Sequence, residues 1–384
     1  MSEQFRRHAV LTHGLYPIVS SSLVGYPLLD LYQCMTIKSG KMTNPSTLWG
    51  QKTLYFSELS PDSILEAAER HGFKVTGKVL SLNSLENRVI EVELEKHREC
   101  FPPEAPNQII MKFYRPGRWS REQILEEHRF LLDLQQYEIP VIAPLEIEDE
   151  SLFFDDKLSL HYAFFPKIMG RLKDEYTKEE VEQAGRLMGR IHNIGKLSTF
   201  SHRLTFSPQT LIKDNLAILR SDPPVEFDSF KYYLDTYEQF LPHFLNRFEH
   251  VKLARIHGDF HRGNIIWTAV GPYILDFDDS VTGPIEQDLW LLIPGIDPES
   301  VKLRESFLDE YRTMTNVEII QLSLFEWLRA MRTFHFNAWI GRRIEDQSFA
   351  RMFPYYKQQS YWDQQYMDAR QALPALLEQT WHGN

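Results

Sequence analysis

The sequence predicts an α+β protein of two lobes, a small antiparallel sheet with one key helix followed by a larger, mainly helical lobe. Three observations carry that prediction. Runs with strand character, "VLSLNSLENRVIEVEL" and "QIIMKFYRP", cluster in the first third of the chain. Amphipathic stretches of helical period dominate after residue 170. The exception in that second part is "HGDFHRGN", a polar and glycine-rich loop set between apolar runs that read as short strands. With 384 residues, 43% of them apolar, the chain can bury a core of about two domains.

Residues 1 to 53 show no sustained period and are expected to be a disordered extension, or a mis-assigned start preceding Met42. Within them "FRRH" and the partly apolar run after it imitate a signal peptide. His13, Gly14, Pro17, three serines and Pro27 interrupt that run, and no small-residue cleavage site follows, so export and membrane insertion are not expected. The first lobe is expected over 54–168. "LSPDSILEAAERHG" supplies Ser60 as N-cap, Pro61 at the first helical position and Gly72 beyond the end. Two strands follow around a polar turn at Asn83 to Asn87, then a third strand stopped by Pro116. "WSREQILEEHRFLLDL" opens with Ser120 and Gln123 in capping-box spacing and sets Ile124, Glu127, His128, Leu131 and Leu132 on one face. Glu127 therefore falls on the buried side. "LHYAFFPKIMG" reads as a strand leaving the sheet through a connector around Pro166 and Gly170, where the boundary is drawn.

The second lobe, 169–384, begins with a core helix in "TKEEVEQAGRLMGRIHNIG", capped by Thr177 and Glu180. Further amphipathic stretches run over 227–250, 298–314, 318–343 and 355–381. No internal repeat is present.

In "ARIHGDFHRGNIIWT" and "PYILDFDD", a loop between strands and the end of the next strand bring Asp259, Asn264 and Asp276 to one end of a small hairpin. Such a group suits Mg2+ held against nucleotide phosphates, because that ion takes hard oxygen ligands and normally only one or two carboxylates. Asn264 and Asp276 are the expected ligands. Asp259 is left to orient an attacking hydroxyl, which suffices where the transition state is loose. Taken alone, an Asp and an Asn at this spacing are common by chance. The order Lys112, Glu127, Asp259, Asn264, Asp276 gives the reading its weight. His257 and His261 lack the helix and glutamate of a zinc protease motif, so His257 is read as a buried support for the loop.

The spacing of Asp259, Asn264 and Asp276 matches the catalytic loop and metal aspartate of protein kinases. More closely, "LNSLENRV", "MKFYRPGRWSREQILEEH", "HGDFHRGNIIW" and "GPIEQDLWLL" resemble the aminoglycoside phosphotransferase and choline kinase superfamily, and within it a branch of bacterial serine/threonine kinases of the stress response. The likeness runs from about Leu54 to the C-terminus. It implies a protein-kinase-like fold, ATP as co-substrate, Mg2+ as cofactor, and autophosphorylation. It also implies that Lys112 neutralises the α and β phosphates with Glu127, rather than Glu126, as its ion-pair partner. Ser84 would lie in the turn covering ATP, although that turn lacks glycine, and adenine would rest near Phe164 to Lys167, with Phe165 as the contact. Asp288 would hold the catalytic loop, Asp278 and Asp279 have no firm role, and "FHFNAWI" is read as core packing or an acceptor-pocket wall. The alternative acceptor is a small molecule of the choline, aminoglycoside or homoserine type.

A net charge of −11 is the wrong sign for a phosphate-backbone binder, so nucleic acid is not an expected partner. Two distant cysteines suggest neither a disulfide framework nor a thiolate metal site, which fits the cytoplasm. The expected partners are ATP and proteins bearing serine or threonine acceptors, engaged by a monomer that does not bind membranes.

Overall fold

Ser60 and Ser63 cap one another's backbone at the head of α1 (Pro61–Arg70), with Pro61 where its missing N–H costs no hydrogen bond. The computed structural model describes residues 56, 59–82, 84–96, 106–315 and 320–379. The expected extension over 1–53 and Asn83 of the first turn lie outside them. After α1 come β1 (Val75–Leu82), β2 (Arg88–Leu94), β3 (Gln108–Phe113), α2 (Arg121–Gln136), β4 (Phe153–Asp155) and β5 (Leu160–Pro166). The five strands form one antiparallel sheet in the order β1-β2-β3-β5-β4.

Strand period decides what this sheet can do. Ile109, Met111 and Phe113 of β3 and Tyr162 and Phe164 of β5 pack on one face with Ile64, Ala67 and Ala68 of α1. The intervening residues must then point the other way. Lys112, paired in register with Ala163, and Phe165 so face α2 and the second lobe. β3 ends at Phe113 rather than running on to Pro116: the Tyr114 N–H still donates to the His161 carbonyl at 2.9 Å, but the Arg115 N–H turns aside to Asn87 Oδ1 at 3.1 Å.

The Ser120 and Gln123 capping box is present at the start of α2. Its buried face holds Ile124, Glu127, His128, Phe130, Leu131 and Leu134, whereas Leu132 is only half-buried. The buried arc is wider than one stripe because α2 is covered from two sides. Phe130 meets Phe200 and Phe277 of the second lobe edge-on at 5.7 Å.

The second lobe comprises α3 (Lys178–Gly195), α4 (Asp214–Ser221), α5 (Asp228–Phe248), β6 (Ala254–Ile256), β7 (Ile265–Thr268), β8 (Gly271–Ile274), β9 (Val281–Gly283), α6 (Glu286–Leu291), α7 (Pro298–Met314), α8 (Phe325–Gly341), α9 (Gln347–Met352) and α10 (Gln359–Gln379). Thr177 and Glu180 cap α3 as their spacing predicts. α3 lies so close to α7 that a Cβ on Gly185 would stand 2.4 Å from the Phe307 carbonyl oxygen. The short elements β4, α4, α6 and α9 escape sequence reading, since three to eight residues show too little period to recognise. β7 and β8 make the expected hairpin, but β6 pairs with β9, beyond it. The loop 257–264 consequently spans two separate two-stranded ribbons.

Candidate active site

His257 is fully buried and fixes the loop from within. Its Nδ1 accepts the Asp259 N–H at 3.2 Å and its Nε2 faces the Leu275 carbonyl at 3.0 Å, so the ring proton sits on Nε2. Gly258, at φ +83°, cannot be replaced without strain, and a Cβ there would lie 2.3 Å from the Asp279 carbonyl oxygen. From α6, the buried Asp288 carboxylate accepts the N–H groups of His257 and Gly258, each at 2.8 Å. Asp288 also takes a contact from His192 Nε2 at 3.1 Å, and His192 Nδ1 in turn meets the Tyr311 hydroxyl at 2.9 Å. The loop is thus hung from a buried polar chain across three helices.

Asp259 stands between two basic side chains. Arg332 of α8 is ion-paired with Oδ1, and His261 Nε2 lies 3.3 Å from Oδ2. Burial works against the Asp259 charge, but Arg332 and His261 outweigh it and hold the carboxyl far below the usual carboxylate range. The Asn264 amide donates to the Asp259 carbonyl at 2.9 Å, which leaves its Oδ1 as the atom able to ligate a cation.

Lys112 reaches this cluster from the sheet. Its Nζ lies 3.0 Å from Asp278, 3.2 Å from Glu127 and 4.0 Å from Asp276. Burial opposes the Lys112 charge, yet Asp278 and Glu127 prevail and keep its pKa well above the ordinary lysine value. Glu127 is also held by Arg203 at 2.8 Å, and Arg118 bridges Asp278 and Asp279. Glu126 is spent elsewhere, accepting the N–H groups of Ser201, His202 and Arg203 at 2.6–2.9 Å.

Asp276 takes the left-handed conformation, φ 61°, and its side chain is about half-exposed, unlike the buried Asp278 beside it. An exposed carboxylate and an amide oxygen are hard donors fit for Mg2+, provided the ion keeps waters and takes phosphate oxygens. Among the described residues no group of three or more His, Cys, Asp or Glu is arranged to hold a metal ion. Asn264 and Asp276 alone would therefore need a triphosphate to complete the coordination.

The β1–β2 turn carries Ser84. Ser84 Oγ accepts the Asn87 N–H at 3.3 Å, and Arg115 gathers the carbonyls of Leu85 and Glu86 at 3.0 and 2.8 Å. Arg115 thereby gives the turn the fixed shape that glycine alone would not supply. Phe165, near the end of β5, is buried and edge-on to His128 at 6.1 Å.

A family model described as APH, phosphotransferase enzyme family, matches residues 79–320 of the chain. The chain belongs to that family. Stress response kinase A of Escherichia coli is 32% identical over 308 residues, covering 80% of this chain and 90% of the relative. Serine/threonine protein kinase RdoA of Salmonella typhimurium is 34% identical over 317 residues, or 81% and 91% of the two chains. Among solved structures, an amicoumacin kinase in complex with AMP-PNP, Ca2+ and Ami aligns at TM-score 0.61 and 16% identity, covering 80% of this chain and 93% of that one. A microcompartment-associated aminopropanol kinase aligns at TM-score 0.61 and 18% identity, covering 83% and 97%. These two likenesses are of fold.

In this APH phosphotransferase, Lys112 meets Glu127 and Asp276, Asn264 meets Asp259, and the two groups are joined through the Leu275 N–H, which donates to the Asn264 carbonyl at 3.1 Å; Ser84 lies in the β1–β2 turn and Phe165 on the same sheet face as Lys112. Sequence reasoning missed Arg118, Arg203 and Arg332, and left Asp278 without a role. Asp278 and Arg118 had a signal, their places in "ILDFDD" and "MKFYRPGRWSREQILEEH"; Arg203 and Arg332 lie in no motif. No helix among the described residues is long and apolar enough to cross a membrane.

Proposed function

We propose that this phosphotransferase is an ATP- and Mg2+-dependent serine/threonine protein kinase, active on itself and on other proteins as a monomer in the bacterial cytoplasm under stress. The observation that carries the proposal is the meeting of Lys112, Glu127 and Asp276 from three separate segments beside the loop that presents Asp259 and Asn264. A protein acceptor is favoured by the names of the relatives aligned over most of the chain.

In this reading the 54–168 lobe grips the nucleotide and the 169–384 lobe presents the acceptor. Lys112, kept charged by Glu127 and Asp278, binds the α and β phosphates. The turn at Ser84 covers them through backbone N–H groups and the Ser84 hydroxyl, and Phe165 lies against the adenine. Asn264 and Asp276 hold Mg2+, which supplies charge neutralisation on the phosphate oxygens. Asp259 accepts a hydrogen bond from the acceptor hydroxyl and aims its oxygen at the γ-phosphorus. The new O–P bond forms as the bond to the ADP oxygen breaks, and the hydroxyl proton passes by way of Asp259 to solvent. A carboxylate as weakly basic as this one orients the hydroxyl rather than stripping it early, which is what a loose transition state requires.

A small-molecule acceptor is the second reading, favoured by the aminopropanol and amicoumacin kinases among the structures of like fold. Radiolabelled ATP is incubated with the purified protein alone, with a generic protein substrate, and with a panel of amino alcohols. Label on protein, abolished by Asp259→Ala, is the expected result. Label confined to the small molecules would overturn the protein-kinase reading.

A further inference from the structure

Asp259, the acid assigned to the acceptor hydroxyl, is flanked by basic side chains although the chain as a whole is acidic. Arg332 is ion-paired with Asp259, yet its side chain remains about one-third exposed. His335 and Arg342 follow it along α8 and just beyond its end. Arg342 donates to Asn215 Oδ1, a neutral oxygen, and its Nε and Nη2 are buried with no hydrogen-bond partner among the described residues. Asn215 turns its amide to His335 Nδ1 at 3.1 Å. The nearby carboxylates already have basic partners: Glu86 has Arg343 at 2.8 Å, Asp346 has Arg115 at 3.2 Å, and Asp278 and Asp279 share Arg118. Arg118 is shared by two acids, and Arg342 is left with no carboxylate partner among the described residues.

We infer that Arg332 determines acceptor specificity: it selects a serine or threonine flanked by acidic side chains and repels a hydroxyl carried beside an amine. This rests on the reading that Asp259 orients the acceptor hydroxyl. An acceptor whose hydroxyl reaches Asp259 must place its neighbouring groups beside the Arg332 guanidinium. A carboxylate there gains a charge-assisted hydrogen bond from a planar donor, and an ammonium meets a like charge. An amino alcohol would instead be served by a carboxylate where Arg332 stands.

The test uses the full-length protein, ATP, Mg2+ and three peptides with one serine each, flanked by aspartate, alanine or lysine. For the natural protein we expect kcat/KM to fall in that order, with at least about tenfold between the first and last, expressed mainly in KM. Arg332→Glu is expected to invert the order, and Arg332→Gln to flatten it. Equal kcat/KM on all three peptides with the natural protein would overturn the inference while leaving the kinase reading intact. So would an Arg332→Gln protein, folded by circular dichroism, whose rates fall by one common factor, since Arg332 would then only hold Asp259. Absence of transfer from ATP to any acceptor, the protein itself included, would sink both.

Discussion

Glu86, in the β1–β2 turn, and Arg343, just beyond α8, form a buried ion pair of 2.8 Å that fastens the first lobe to the second. Trp339 Nε1 donates to the same carboxylate, and Arg115 approaches it at 3.3 Å. Burial by itself would raise the Glu86 pKa. Arg343, Arg118 and Arg115 outweigh it and hold the group below its ordinary value. A carboxyl depressed in this way stabilises the fold fully above its unfolded pKa and loses that contribution as pH falls through the folded value.

Glu86→Gln should therefore destabilise the protein at neutral pH by about 3 kcal/mol, toward the lower end for one partner removed from a buried pair. Urea unfolding of both proteins at stepped pH is the measurement. The gap between them should be widest near pH 7, narrow as pH falls below the ordinary glutamate value of about 4.3, and close only once pH has passed the depressed folded value. A gap independent of pH would mean that the turn is held by packing alone.

Asp288→Asn tests the suspension of the catalytic loop. The amide can offer one oxygen to the two N–H groups of His257 and Gly258, and its NH2 confronts the other. Asp259 should then be displaced without change to Lys112 or Asp276. Phosphate transfer is expected to fall about 100-fold, as for a misplaced reacting group, with ATP affinity retained. Single-turnover kinetics beside an ATP titration would separate the two effects.

How much of this site was legible in the sequence follows from distance along the chain. Asp259, Asn264 and Asp276 sit within one loop and the strand after it, so spacing and residue type place them together. Glu127 could be oriented because helix period fixes which way a side chain faces, whereas the role of Lys112 came from the family resemblance; the structure has both on the side facing the second lobe. Arg332 meets Asp259 across 73 residues and Arg203 meets Glu127 across 76, contacts that only the packing of α8 and of the 200–206 segment creates. The pairing of β6 with β9 was hidden for the same reason: a three-residue strand carries no period, and its partner lies beyond an intervening hairpin.

Lys112→Met should lower ATP affinity and also stability. Glu127 and Asp278 would keep Arg203 and Arg118 but lose the charge between them. A loss of about 3 kcal/mol is expected, since each acid retains one cation. If the Glu127→Gln change is added, the double variant should be more stable than the sum of the two single losses implies, because the Lys112–Glu127 contact can be lost only once. Denaturant unfolding of the four proteins completes that cycle, and additive losses would show that Lys112 and Glu127 do not act as a pair.

Asp276→Asn isolates the metal ligand from the backbone. Position 276 is left-handed at φ 61°, a conformation that asparagine tolerates nearly as well as aspartate, so the turn into "FDDS" should survive the change. What is lost is the negative oxygen that faces the cleft 4.0 Å from Lys112. Nucleotide affinity measured by titration calorimetry with and without Mg2+ should show a strong metal dependence in the natural protein and little in the variant. Binding without Mg2+ should strengthen slightly in the variant, since one carboxylate no longer repels the triphosphate. An unaltered Mg2+ dependence in Asp276→Asn would remove Asp276 from the metal site and leave Asn264 and the phosphates to hold the ion without it.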